Sequence, residues 1–158
     1  MRRATGDDVP RLDAVRRAAF APVFESFRAI LGDEIYRIAQ APEDDRQGQL
    51  LLDLLAPGSD WEVYVAEFDG VVHGFVSVRL DAGRKVGEIG LNAVHPEHAG
   101  RGVGAAMYDF AVARMKDAGM RVATVATGGD PSHAPARRAY AKAGFAVGIP
   151  SVWFCRKL

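Results

Sequence analysis

Disulfides, membrane spans and a prevailing charge are all missing from this chain. A single cysteine, Cys155, cannot staple 158 residues internally. It lies in the alternating stretch "SVWFCRKL", where a buried structural thiol is the expected reading and a nucleophile is not. Lysine plus arginine and aspartate plus glutamate each number 20, so no net charge draws the molecule to nucleic acid or to an acidic membrane, and neither is expected as a partner. There is no run of 18 apolar residues and no basic-then-apolar leader, which makes a cytoplasmic address the expectation. Repeats, low-complexity tracts and linkers are absent too, so residues 1–158 read as one domain. Hydrophobic residues make up 49% of the chain, too many for disorder and enough for a core.

What is present falls into two regions. The first, to about residue 57, reads as a short strand at Arg2 to Ala4, a turn at "TGDD", and helical segments separated by Pro22 and Pro42, with Asp7 or Asp8 as a cap. From Trp61 the hydrophobic period becomes two. "WEVYVAEFDGVVHGFVSVRL" splits at Asp69-Gly70 into an antiparallel hairpin, and "VGEIGLNAV" (86–94) follows as a third strand. A helix is expected from Val103 to Ala118 with Gly119 as its stop, then a strand at "RVATVAT" and a helix at "SHAPARRAYAKAG" capped by Ser132. "FAVG" and "SVWFCRKL" close the pattern as strands. The order implies an α/β protein with a mixed sheet.

Gly100, Gly102 and Gly104 stand between a strand and a helix. Such a turn exposes backbone amides at the positive end of a helix dipole, which makes an anion site. It is not a P-loop, because Ala105 and Ala106 follow Gly104 where lysine and a hydroxyl residue would be needed. It fits a dinucleotide fingerprint poorly, because "RVATVAT" lacks the acidic residue that would hold a ribose.

"AVHPEHAGRGVGAAMY" resembles the pyrophosphate loop of the GNAT superfamily of acetyl-coenzyme A-dependent N-acetyltransferases, with Ala99, Gly102 and Gly104 in the register of that motif. "SHAPARRAYAKAGF" is similar to the family's second signature, with His133, Ala136, Tyr140, Gly144 and Phe145 at the matching positions. The resemblance implies a mainly antiparallel sheet with helices on both faces, acetyl-coenzyme A as cosubstrate, no metal, an amine acceptor, and a homodimer as one available assembly. It also implies a cosubstrate site made of Val94, Ala99, Gly100, Arg101, Gly102, Val103, Gly104, Ala105, His133 and Tyr140. Two positions depart from the pattern: Ala99 stands where the family has glutamine or arginine, and His133 where it has asparagine.

Acetyl transfer to an amine needs a proton acceptor, an oxyanion donor and a partner for the departing thiolate. The resemblance assigns the oxyanion to a backbone N–H near Val94 and the thiolate to Tyr140. On the residues alone Tyr140 could equally be core, since Ala136, Ala139, Tyr140 and Ala143 share one helix face. Strand alternation puts Glu88, Gly90, Asn92 and Val94 on one face, with Glu88 as a candidate base and Asn92 as a group that orients water or substrate. The alternatives for Glu88 are a solvated residue at the strand's start, with ordered water as the base.

Phe20, Phe24 and Phe27 recur at helical spacing and read as core. Arg101, Arg137, Arg138 and Lys142 could rim a phosphate site, and no spacing of histidines and acids gives a metal centre. A rival to the enzyme is a module of the same fold that senses acyl-coenzyme A without turnover.

Overall fold

The protein is described by a computed structural model covering residues 1–158. A five-stranded sheet runs in the order β1 (Arg2–Arg3), β2 (Trp61–Phe68), β3 (Val71–Asp81), β4 (Val86–Val94), β5 (Val122–Val125). Every neighbouring pair is antiparallel except β4 and β5, which are parallel. Helices α1 (Val9–Ile35) and α2 (Ala41–Leu55) cover one face, and α3 (Val103–Asp117) and α4 (Ala134–Lys142) the other. Leu12, Val15, Leu51, Val65 and Phe75 form the core on the first face; Val76, Ile89, Met107, Ala111 and Met115 form it on the second. The mixed, mainly antiparallel architecture expected from the sequence is the one observed.

Two features of the sheet position everything that follows. First, β5 pairs with β4 only from Val86↔Val122 to Ile89↔Val125, so residues 90–94 have no strand beyond them. Secondly, β3 and β4 shift register between Val76↔Asn92 and Val78↔Ile89. Ser77 therefore faces both Gly90 and Leu91, and its hydroxyl donates to the Leu91 carbonyl at 3.0 Å. A bulge of this kind reverses side-chain alternation beyond it. Glu88, Leu91 and Ala93 face α1 and α2, whereas Ile89, Asn92 and Val94 face α3 and α4. The expectation that Glu88 and Asn92 share a face is thus corrected. Gly90 occupies the bulge because a Cβ there would strike the Trp61 ring and the Ser77 hydroxyl.

Other departures have local causes. Helix α1 continues through Pro22 and breaks instead at Gly32, whose φ of 74° and ψ of 157° are not helical. The turn before α4 is capped by Asp130, whose carboxylate accepts from Ser132 N at 3.0 Å; Ser132 is not the cap. The two closing strands do not form. Residues 146–158 make no backbone hydrogen bond, and Val147, Ile149 and Phe154 stand exposed. Gly148 and Pro150 interrupt this segment, and strand propensity without a neighbouring edge yields no strand. Lys157 pairs with Glu34 on α1, and Cys155 is half-buried rather than part of a core.

The chain's start is tied down electrostatically. Arg2 makes two 2.8 Å hydrogen bonds to the Asp8 carboxylate, which also accepts from Thr5 N at 2.8 Å. The Arg2 hydrogen bond holds the Asp8 carboxyl at about 2, below its ordinary 3.8. A depressed carboxylate stabilises the fold above its unfolded pKa and loses that contribution as pH falls through the folded value. Asp8→Asn should therefore cost about 1–2 kcal/mol near neutrality, with the difference from the parent closing between about pH 4 and pH 2. Urea titrations across that range measure it; a constant difference would contradict the linkage.

Candidate active site

The glycine loop is shaped by two left-handed residues, Gly100 at φ 74° and Gly102 at φ 84°, the latter being the N-cap of α3. A side chain at either would be strained, which accounts for two of the three glycines. The amides of Gly100, Arg101, Gly102, Val103, Gly104 and Ala105 find no acceptor within the chain; the first helical bond of the turn is Ala106 N to Gly102 O. Successive free amides at a helix N-terminus suit a phosphate or pyrophosphate group. Ala99 is exposed beside them and brings no polar side chain, so the cradle is made of backbone.

This loop opens on a cleft of about 660 Å³ that passes through the gap where β5 leaves β4. Residues from both sides of the sheet line it: Ala19, Phe20, Val23 and Glu88 from the α1/α2 side, and Gly104, Tyr108, Ala136 and Tyr140 from the other. Because His95 N donates to His73 O at 2.8 Å, antiparallel alternation turns the Val94 amide away from β3 and into that gap. It is thereby available to a ligand oxygen.

Asn92 links two tyrosines. Its Oδ1 accepts from the Tyr108 hydroxyl at 2.9 Å, and its Nδ2 donates to the Tyr140 hydroxyl at 3.1 Å and to the Gly90 carbonyl at 2.8 Å. Burial pushes the Tyr108 phenol above its ordinary range, so it stays a neutral donor. Donation from Tyr140 to Asn92 Oδ1 would span 3.4 Å, longer than the 3.1 Å bond in the other direction. Tyr140 accordingly accepts from Asn92 and keeps its own proton for the cleft. It is buried in the core cluster of this face and lines the cleft as well.

Glu88 borders the cleft on the opposite side and is ion-paired with Arg79, whose guanidinium lies 5.1 Å from the Trp61 ring centroid. His133 lines the cleft with its Nδ1 held at 2.5 Å by Asp130 and its ring stacked on Phe27 at 5.8 Å, which leaves Nε2 free. Arg137 spends its guanidinium on the carbonyls of Gly128 and Asp130, at 2.6 and 2.8 Å, while Arg101, Arg138 and Lys142 are exposed. Phe20, Phe24 and Phe27 are half-buried and border a second cleft, and Phe20 also packs against the core of the first face. Sequence reasoning missed Tyr108. Its position four residues after Gly104, one helical turn beyond the cradle, was the available signal. It also missed that His95, Glu97 and His98 converge.

The sequence profile of the Acetyltransferase (GNAT) family matches residues 24–145. The chain belongs to that family. No curated protein sequence matches this acetyltransferase. Among solved structures it resembles a putative GNAT acetyltransferase from Desulfovibrio desulfuricans, at 23% identity and a TM-score of 0.69 over 94% of this chain and 85% of the other. It also resembles the PaiA N-acetyltransferase from Thermoplasma acidophilum in complex with coenzyme A, at 20% identity and a TM-score of 0.73 over 95% and 91%. A third is AAC(6')-Iy bound to the bisubstrate analogue CoA-S-monomethyl-acetylneamine, at 15% identity and 0.61 over 99% and 97%. At such identities the likeness is one of fold.

Proposed function

We propose that this acetyltransferase moves an acetyl group from acetyl-coenzyme A to a primary amine, on a small molecule or a protein, by direct attack within a ternary complex. The observation that carries the reading is the cleft through the sheet. The amide cradle and Tyr140 lie on one side of it and Glu88 on the other, so donor and acceptor can approach from opposite faces without a covalent relay. The neighbours crystallised with coenzyme A or with an acylated aminoglycoside analogue are in keeping with such a donor and such an acceptor.

In this reading the free amides from Gly100 to Ala105 take the pyrophosphate, and His133 Nε2 bonds the pantetheine arm. The Val94 N–H stabilises the oxyanion that forms as the amine attacks the thioester carbon. Glu88 takes the amine's proton, directly or through water, and Tyr140 donates to the sulfur as the carbon–sulfur bond breaks. Asn92 is a positioning residue that fixes the Tyr140 hydroxyl. Ala19, Phe20, Val23 and Leu50 give the acceptor side an apolar wall.

Calorimetry with acetyl-coenzyme A, followed by an amine screen for thiol release, tests the whole reading. Saturable binding with no turnover on any amine would make the chain a sensing module. Glu88→Gln tests the base: turnover should fall about 10²-fold, and the acidic limb of the rate profile should shift or disappear. An unchanged profile would assign deprotonation to water.

A further inference from the structure

Of the chain's four histidines, three meet beside the cradle. His95 caps the short 3-10 turn Pro96–His98 that leads into the glycine loop, His98 is its last residue, and His73 on β3 stacks on His98 with ring centroids 3.5 Å apart. We propose that His95, Glu97 and His98 form a binding site for a divalent transition metal, with zinc the ion best suited to it.

Geometry comes first. One ligand atom from each of the three side chains lies within 4.8 Å of the other two. The tight turn accounts for this, because a 3-10 period brings residues three apart onto the same side, here His95 and His98, with Glu97 between them. The second observation concerns His98, whose Nδ1 is shut off from solvent and has no hydrogen-bond partner. A buried ring nitrogen left unsatisfied costs stability unless something fills its valence. His95 and Glu97 each bring a ligand atom within 4.8 Å of a ring nitrogen of His98.

The donor set then selects the ion. Two imidazoles and one carboxylate suit zinc and its neighbours in the first transition row, whereas calcium and magnesium favour oxygen donors. Three protein ligands leave a fourth position for water. His73 stays outside the set and shields one face of the His98 ring. The ion would clamp the turn from which Ala99 and Gly100 depart, at the mouth of the cleft that His98 also lines. The site is independent of the acetyl-transfer reading, since no group assigned to catalysis takes part in it.

The test is calorimetric titration of the tag-free, metal-stripped chain with zinc chloride in a non-coordinating buffer, with metal content measured after desalting. One zinc per chain is expected. His95→Ala and His98→Ala should each weaken binding by at least the roughly 10- to 100-fold seen when a metal site loses an outer-shell partner. Glu97→Gln, at a side chain 79% exposed and therefore safe for folding, should weaken it by about 10-fold or more. Cys155→Ser and His73→Ala should retain the site. Absence of saturable binding, full binding in the His95→Ala/His98→Ala double variant or in Glu97→Gln, or loss of binding in Cys155→Ser would each overturn the proposal.

Discussion

Tyr140→Phe is expected to lower turnover by about 10²- to 10⁴-fold, the usual scale for a positioned proton donor, while acetyl-coenzyme A binds almost as before. The substitution removes one oxygen and keeps the ring that packs against Tyr108 and Phe145, at centroid distances of 4.9 and 6.1 Å. What is lost is the proton that Asn92 leaves free by donating to the Tyr140 oxygen. A single-turnover measurement isolates the chemical step, and full activity there would return Tyr140 to a packing role. Asn92→Asp separates donor from orientation. A carboxylate still accepts from Tyr108 but cannot donate to Tyr140, so the Tyr140 hydroxyl would turn and spend its proton on Asp. Turnover should fall about 10²-fold with KM for acetyl-coenzyme A little changed. A change in KM alone would instead mark Asn92 as part of the binding surface.

Much of this was legible in the residues. The Asp69-Gly70 hairpin, the strand Val86–Val94 and the helix beginning at Val103 lie where period and glycine place them, because each is set by neighbours in sequence. The shape of the glycine loop was legible for the same reason: a left-handed N-cap is a local event, and Gly102 announces it. The bulge at Gly90 and Leu91 was not. The Trp61 ring on β2, some thirty positions away, fills the space a Cβ at Gly90 would need, and the register shift shows only in the pairing with β3, so a strict alternation is the simpler expectation from the residues. One shifted residue moved Glu88 and Asn92 to opposite faces. Together with the gap left by β5, that displacement puts Glu88 and Asn92 on opposite sides of the cleft.

The terminal segment failed for a related reason. "SVWFCRKL" has the composition of a strand, but a strand is completed by a partner edge, and none takes up residues 146–158. The histidine cluster was hidden differently. His95, Glu97 and His98 are close in sequence, yet only the 3-10 turn aligns them, and His73 joins from another strand.

Gly104→Val is expected to weaken acetyl-coenzyme A binding by about 10- to 100-fold without unfolding the chain. Gly104 is the right position because its backbone is not left-handed, unlike Gly100 and Gly102, where any side chain would add strain to whatever it did to binding. A Cβ at Gly104 meets only Tyr108 and Val94, at the ordinary distances of 3.8 and 3.9 Å, so the fold has room for it. The added methyl groups would stand on the cleft side of the first helical turn, where the amides of Val103, Gly104 and Ala105 have no acceptor of their own. A hydrogen bond to a charged phosphate oxygen contributes about 1.5–3 kcal/mol, and each 1.4 kcal/mol is tenfold in affinity, so losing one such contact already gives the expected range. Gly104→Ala should fall between the parent and Val. Calorimetry gives the affinities, and circular dichroism with thermal melting checks the fold. A folded Gly104→Val variant that binds as tightly as the parent would place the pyrophosphate elsewhere, and the cleft would then have to take its donor in another orientation.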